Sequence, residues 1–241
     1  MRSLRGGRIE PMRSLTGLEW ALFALAAILA LVYGAFGTVM FEADIPRVAT
    51  VAFKASSIII LGAIALFAGS RLLAAGLLFG SAGDALLAWS HDTFLFGALA
   101  FLIGHLFYIA LFLRAGIGDR ATLRQPIRIL AMLTIAGAAL VMTSLLVPYN
   151  SPLYLPLGIY TGVLTVMTMS SFTLPAARWL AMAGAVLFFI SDGFVAWNMF
   201  HADPDPTLAS WRSFAGWMIY WAGQAALCVG ALGLHKPTTQ A

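Results

Sequence analysis

Two aspartates stand inside stretches that otherwise read as hydrocarbon: Asp84 in "GSAGDALLAW" and Asp192 in "LFFISDGFVAW". Lys54, His105, Tyr33, Tyr108, Tyr160, Tyr220 and Gln224 are the other ionisable or strongly polar side chains within such stretches, with Glu19 at the edge of the first. An ionised carboxylate at mid-bilayer depth costs about 2.5–3.5 kcal/mol on insertion scales, so a chain that keeps two of them points to a function for them. Two carboxyl groups can divide acid–base work, one donating a proton while the other, ionised, stabilises a developing cation. A carboxyl group withdrawn from water and set near a second carboxylate holds its proton to higher pH, as a general acid working near neutral pH requires. No Ser-His-Asp arrangement, HExxH motif or Cys/His cluster is visible, so no metal or cofactor is expected. Cys228, the single cysteine, lies in an apolar run and reads as packing.

The elements that must carry these residues are membrane helices. Of 241 residues, 61% are hydrophobic and 10% charged; an average soluble domain carries about 25% charge. Apolar runs of about 20 residues recur along the chain, the length a bilayer core demands. They predict eight helices over residues 18–40, 48–68, 72–90, 93–114, 126–147, 152–171, 176–199 and 209–233. Helix-ending stretches such as "FEADIPR", "AGIGDRATLRQP", "PYNSP" and "HADPDPT" separate them. The fold class expected is an all-α, polytopic transmembrane bundle. It divides as a basic segment 1–17, one eight-helix domain 18–233 and a tail 234–241. The first run is too long for the apolar region of a typical signal peptide and is read as helix 1.

Eleven of the fourteen cations fall on one side of this topology: Arg2, Arg5, Arg8, Arg13, Arg71, Arg114, Arg120, Arg124, Arg128, Arg178 and Lys236. The other side holds Arg47 and Arg212, with Glu42, Asp44, Asp92, Asp203 and Asp205. The positive-inside rule then puts both termini in the cytoplasm, and seven spans would break the asymmetry. The basic balance is explained by topology, so no nucleic-acid partner is expected. A bacterial inner (plasma) membrane is the expected location.

Depth follows from the rise of about 1.5 Å per residue. Asp84 is 13 residues beyond Arg71 and Asp192 is 14 beyond Arg178, so both lie roughly 20 Å from the cytoplasmic boundary. Lys54, Tyr160 and Tyr220 fall in the same outer layer, with His105 about a turn deeper. Phe101, His105, Tyr108 and Phe112 make one stripe of helix 4, and Trp217, Tyr220 and Gln224 one stripe of helix 8. Gly76, Gly80, Ser81 and Asp84 form a small-residue face of helix 3. "GSAGDALLAW" and "FFISDGFVAW" each place a Ser and an Asp near the helix middle, with an Ala-Trp pair ending five residues after the Asp, a faint sign of internal duplication.

Each aspartate could simply hydrogen-bond a neighbour, and Lys54 could be a counter-ion or a substrate contact. A proton-coupled transporter or lipid scramblase with an Asp relay is an alternative, although it would spread polar groups through the full membrane depth. "GSAGD" differs from the GxGD element of intramembrane aspartyl proteases in spacing, and "ISDG" lacks their partner motif.

Taken together, "GLLFGSAGD" (76–84), "GALAFLIGHLFYI" (97–109), "GAVLFFISDGFVA" (184–196) and "YWAGQ" (220–224), with Lys54 in helix 2, resemble the YhhN-like lysoplasmalogenases. Ala55 stands where that family often has Pro, and Gly193 where a hydroxyl residue is common. The resemblance implies an eight-helix membrane hydrolase acting on a lysophospholipid in the bilayer. It would cleave the vinyl-ether bond of lysoplasmalogens to a fatty aldehyde and a glycerophospho-headgroup. The residues the resemblance carries over are Lys54, Asp84, His105, Tyr108, Asp192, Tyr220 and Gln224; Asp84 and Asp192 are expected to be the catalytic pair, and Tyr160, placed in the same layer by depth, joins the others as a substrate-binding or supporting residue. Headgroup preference and oligomeric state stay open.

Overall fold

Helix-compatible apolar runs bounded by Pro, Gly and short polar segments fold as eight α-helices in a computed structural model, which describes residues 13–39, 46–116, 124–201 and 204–234. They are α1 (Gly17–Gly34, continued by a π turn, Ala35–Val39), α2 (Arg47–Phe67), α3 (Arg71–Trp89) and α4 (Phe94–Gly116), followed by α5 (Pro126–Leu146), α6 (Tyr154–Ser171), α7 (Trp179–Phe200) and α8 (Pro206–Ala231). There is no strand among the described residues. Arg2, Arg5, Arg8, Glu42, Asp44, Arg120, Asp203, His235 and Lys236 lie outside them.

Local chemistry sets several ends. Thr16 and Glu19 form a capping box at α1, and Arg13 pairs with Glu19 at 3.0 Å. Glu19 is therefore buried in a cap. Pro occupies the first turn of α5 and α8, where its missing N–H costs nothing. α2 stops at Gly69, whose φ of 78° turns the chain directly into α3.

Six helices, α1 to α5 and α7, are long and apolar enough to cross a membrane. α6 and α8 are less apolar because they carry polar residues that face inward: Thr161, Thr165, Thr168, Ser170 and Ser171 on α6, Tyr220 and Gln224 on α8. Four of these α6 hydroxyls donate within the helix, among them Thr165 to the Thr161 carbonyl at 2.6 Å and Thr168 to that of Leu164 at 3.0 Å. Large apolar side chains point outward, among them Phe67, Leu133, Leu145 and Leu155 at 65–73% exposure. In water such a surface would aggregate; in a bilayer it is solvated. The protein is a multi-pass integral membrane protein.

The helices pack through close backbone approach. A Cβ on Gly184 of α7 would lie 2.6 Å from the Gly223 carbonyl and the Leu227 amide nitrogen of α8. A Cβ on Gly104 of α4 would lie 3.0 Å from the Gly76 carbonyl of α3. Only glycine allows these contacts, which is how small residues drive helix association in lipid.

Two arginines expected only as loop cations are buried. Arg128 donates to the carbonyls of Phe172 and Leu174 just past α6. Arg178 donates to Leu232 O at 2.8 Å and Gly230 O at 3.4 Å. Both satisfy carbonyls that a helix end leaves without an internal donor. Gly233, beyond α8, sits against Arg13, before α1, so both ends of the bundle emerge on one face, as an even number of crossings requires.

Candidate active site

α2, α3, α6, α7 and α8 bring Lys54, Asp84, Tyr160, Asp192 and Tyr220 to a common cavity of about 220 Å³. The remaining wall is largely apolar, from Phe101, Met142, Leu157, Phe194 and Trp217.

Asp84 is held on both oxygens. Tyr220 donates to Oδ2 at 2.7 Å, and the Lys54 ammonium stands 3.7 Å from Oδ1. Gln224 donates through Nε2 to the Tyr220 hydroxyl at 3.1 Å and accepts through Oε1 from Tyr108 at 2.8 Å. Tyr108 and Gln224 therefore orient Tyr220 from behind the cavity wall. Lys54 also lies 5.9 Å from the ring centre of Tyr33 and 5.8 Å from that of Trp217, a cation–π environment for its charge. The Trp217 indole is fixed by donating to the Ala30 carbonyl at 2.8 Å.

Asp192 is held differently. Its Oδ2 accepts from Tyr160 at 2.5 Å, and among the described residues no cation pairs with it. Tyr160 in turn lies 3.2 Å from His105 Nε2. The proton order can be assigned from this network. Tyr160 has one hydroxyl proton and gives it to Asp192, so it accepts from His105, which is then the Nε2–H tautomer. That leaves His105 Nδ1 as a bare acceptor, and it is the atom of this ring with no partner. A bare acceptor in an apolar pocket costs less than an unpaired N–H. Phe188 packs edge-on against His105 (4.8 Å) and Tyr220 (5.2 Å).

Asp84 is buried, whereas Asp192, which also lines the cavity, is half-buried. One carboxylate is thus ion-paired and clamped, and the other is held by a phenol alone. At the outer end, Asn198 and Ser213 add a polar rim, joined at 3.2 Å, with Arg212 donating to the Asn198 carbonyl oxygen at 2.5 Å. Among the described residues no group of three His, Cys, Asp or Glu converges as a metal-ligand set.

Of the residues singled out from the sequence, five line the cavity, and His105, Tyr108 and Gln224 stand behind it. Tyr33, Trp217, Thr161, Asn198 and Ser213 were not placed in the site from sequence. Trp217 had a usable signal, since it shares the helical stripe of Tyr220 and Gln224. Tyr33 had only its place as a polar tip near the outer end of helix 1. Asn198 and Ser213 look like ordinary loop-proximal polar residues.

The chain matches the YhhN family over residues 49–231, a span that contains Lys54, Asp84, His105, Tyr108, Tyr160, Asp192, Tyr220 and Gln224. It belongs to the YhhN family. It is 33% identical over 163 residues to the Mus musculus protein named lysoplasmalogenase TMEM86B, covering 67% of this chain and 63% of that protein. It is 32% identical over 135 residues to the Homo sapiens protein named lysoplasmalogenase TMEM86A, covering 52% of each. The match thus spans less than two thirds of these relatives' length. No solved structure matches the chain significantly.

Proposed function

We propose that this protein is an intramembrane hydrolase that cleaves the vinyl-ether bond of lysoplasmalogens, releasing a fatty aldehyde and a glycerophospho-headgroup. The observation that carries the reading is the pair of carboxyl groups lining one largely apolar cavity, only one of which has a cationic partner among the described residues. The names of the mammalian relatives supply the substrate class.

The chemistry assigns the roles. Asp192, with no cation beside it, is the proton donor; Asp84, paired with Lys54, stays ionised. Asp192 protonates the β-carbon of the vinyl ether, and positive charge develops on the α-carbon and ether oxygen. Asp84 stabilises that cation, the division of labour glycosidases use around a similar species. Water adds to the α-carbon and gives up a proton, which restores the Asp192 acid. The hemiacetal collapses, its hydroxyl proton ending on the glycerol oxygen as the carbon–oxygen bond breaks. One water is consumed, and the products are an aldehyde and an alcohol. Tyr160 and His105 hold the acid in place, while Tyr220, Gln224 and Tyr108 hold the stabilising carboxylate. With both termini cytoplasmic in a bacterial plasma membrane, the cavity lies in the outer half of the bilayer.

The test is a product assay on detergent-solubilised protein. Aldehyde should be released from a 1-alkenyl lysophosphatidylethanolamine and not from its 1-alkyl or 1-acyl counterparts, which have no protonatable double bond beside the oxygen. Failure to release aldehyde from folded protein would refute the assignment. A transporter, which needs two compartments, would give that result.

A further inference from the structure

A second, wholly apolar groove of about 280 Å³ runs along the outside of the bundle between α5 and α7. Val141, Met142 and Leu145 form one bank, and Phe189, Ile190 and Gly193 the other. Met142 lines both this groove and the carboxylate cavity. Gly193, the residue after Asp192, faces it: a Cβ added there would stand 3.5 Å from the Met142 sulfur. The groove is open to lipid, since Val141 and Leu145 are 57% and 71% exposed.

On the reading proposed above, the reacting carbons are the first two of the hydrocarbon chain. Everything beyond them must leave the neighbourhood of Asp192 by an apolar route. The cavity's outer end is polar, at Asn198 and Ser213. Asn198 is six residues past Asp192, about 9 Å along the helix. That end suits a headgroup and excludes a tail. The opposite requirement is met by the step over Met142 and Gly193.

We propose that the substrate's hydrocarbon chain leaves the cavity between α5 and α7, crosses the Met142–Gly193 contact and lies in this groove, so that Gly193 sets which chains are accepted. This inference rests on the lysolipid reading of the cavity. Because the chain comes from the bilayer, burial in the groove adds little hydrophobic free energy; selection acts through fit. A side chain at Gly193 would fill the step against Met142, and overpacking a fitted site costs enough to change rates by about ten-fold or more.

Two measurements test it. In the first, kcat/KM is compared for hexadecenyl and butenyl lysolipids. Gly193→Leu should lower the long-to-short ratio by about ten-fold or more, the low end of an overpacking penalty. Met142→Ala should leave it equal or raised. Leu106→Ala, on the lipid-facing side of α4, should not move it. An unchanged ratio in Gly193→Leu overturns the proposal. The second needs no turnover and uses the unmodified protein. A 1-acyl lysophosphatidylethanolamine with a diazirine on its chain should label α5 between Val141 and Leu146, and α7 between Phe189 and Gly193. Excess unlabelled lysolipid should compete. Competed labelling of other helices instead, or no competition, overturns it. If labelling falls on α5 and α7 but no aldehyde forms, the groove stands and the proposed reaction fails.

Discussion

Removing Asp84 should expose two separable effects, one on folding and one on chemistry. Lys54 and Asp84 stand 3.7 Å apart, with side-chain exposures of 15% and 3%. At an effective dielectric of about 20, unit charges at 3.7 Å attract by about 4–5 kcal/mol. This agrees with the roughly 3–5 kcal/mol lost when one partner of a buried pair is removed. Asp84→Asn keeps the shape and can still accept from Tyr220, but leaves the Lys54 ammonium facing only the Tyr33 and Trp217 rings. Those ring contacts exist already in the wild type and offset none of the loss, so about 3–5 kcal/mol is expected. In a chain of this size that lowers the melting temperature by on the order of 10 °C. The double variant Lys54→Met/Asp84→Asn removes both charges and should recover at least half of the loss, a positive coupling of the kind contacting residues show.

Activity should not follow stability. If Asp84 stabilises the cation, both Asp84→Asn and the double variant lose about 10²–10⁴-fold in kcat. The assay is thermal unfolding in detergent alongside aldehyde release at a temperature where every variant is folded. A double variant that regains stability and also turns over within ten-fold of wild type would show that Asp84 only balances Lys54, and the two-carboxylate mechanism would fall.

Tyr160→Phe removes the hydroxyl between His105 and Asp192 and leaves the ring; losing a hydrogen bond to the carboxylate that develops as Asp192 gives up its proton, at about 1.5–3 kcal/mol, predicts a fall of about 10–150-fold in kcat, with KM nearly unchanged. A shift confined to KM would show that Tyr160 binds substrate and does not position the acid. Gly184→Ala drives a methyl into the α8 backbone and should destabilise by at least about 2 kcal/mol, whereas Gly162→Ala, where no atom lies within 4 Å, should be neutral or stabilising. Equal melting temperatures for the pair would refute the α7–α8 packing described. Cys228 is buried, so engineered cysteines report topology on a quiet background: Ser210→Cys should react with an impermeant maleimide in intact cells, and Gln125→Cys only after permeabilisation. The reverse pattern would invert the proposed orientation.

The helices were legible because the bilayer fixes their length. Apolar runs of about 20 residues had to become spans, and the expected ranges match the observed helices to within about three residues, apart from the end of α1. There the regular helix stops at Gly34 and a π turn carries the chain on to Val39. α6 and α8 show the limit of an apolarity argument. Their Thr, Ser and Gln residues weaken the hydrophobic signal because those faces look inward, and only the recurrence of spans and breaks along the chain identifies them.

Depth was readable as well, since 1.5 Å per residue from a boundary cation is a ruler. Counting places Lys54, Asp84, Tyr160, Asp192 and Tyr220 in one layer, and the folded chain puts all five on one cavity. Counting cannot say who faces whom, because a layer is a disc and partner choice depends on how each helix is rotated. That rotation is set by contacts with no local sequence signal, such as Gly184 against the α8 backbone or the Trp217 indole on Ala30. The asymmetry that matters for chemistry arises at this level. Lys54 pairs with Asp84 and not with Asp192, so two aspartates each set in an apolar run, with Ala-Trp following, acquire different electrostatic neighbours. A shared element read from sequence suggests equivalence; the third dimension breaks it, and on the proposed mechanism that asymmetry decides which carboxyl group holds the proton, where two equivalent groups would share one between them.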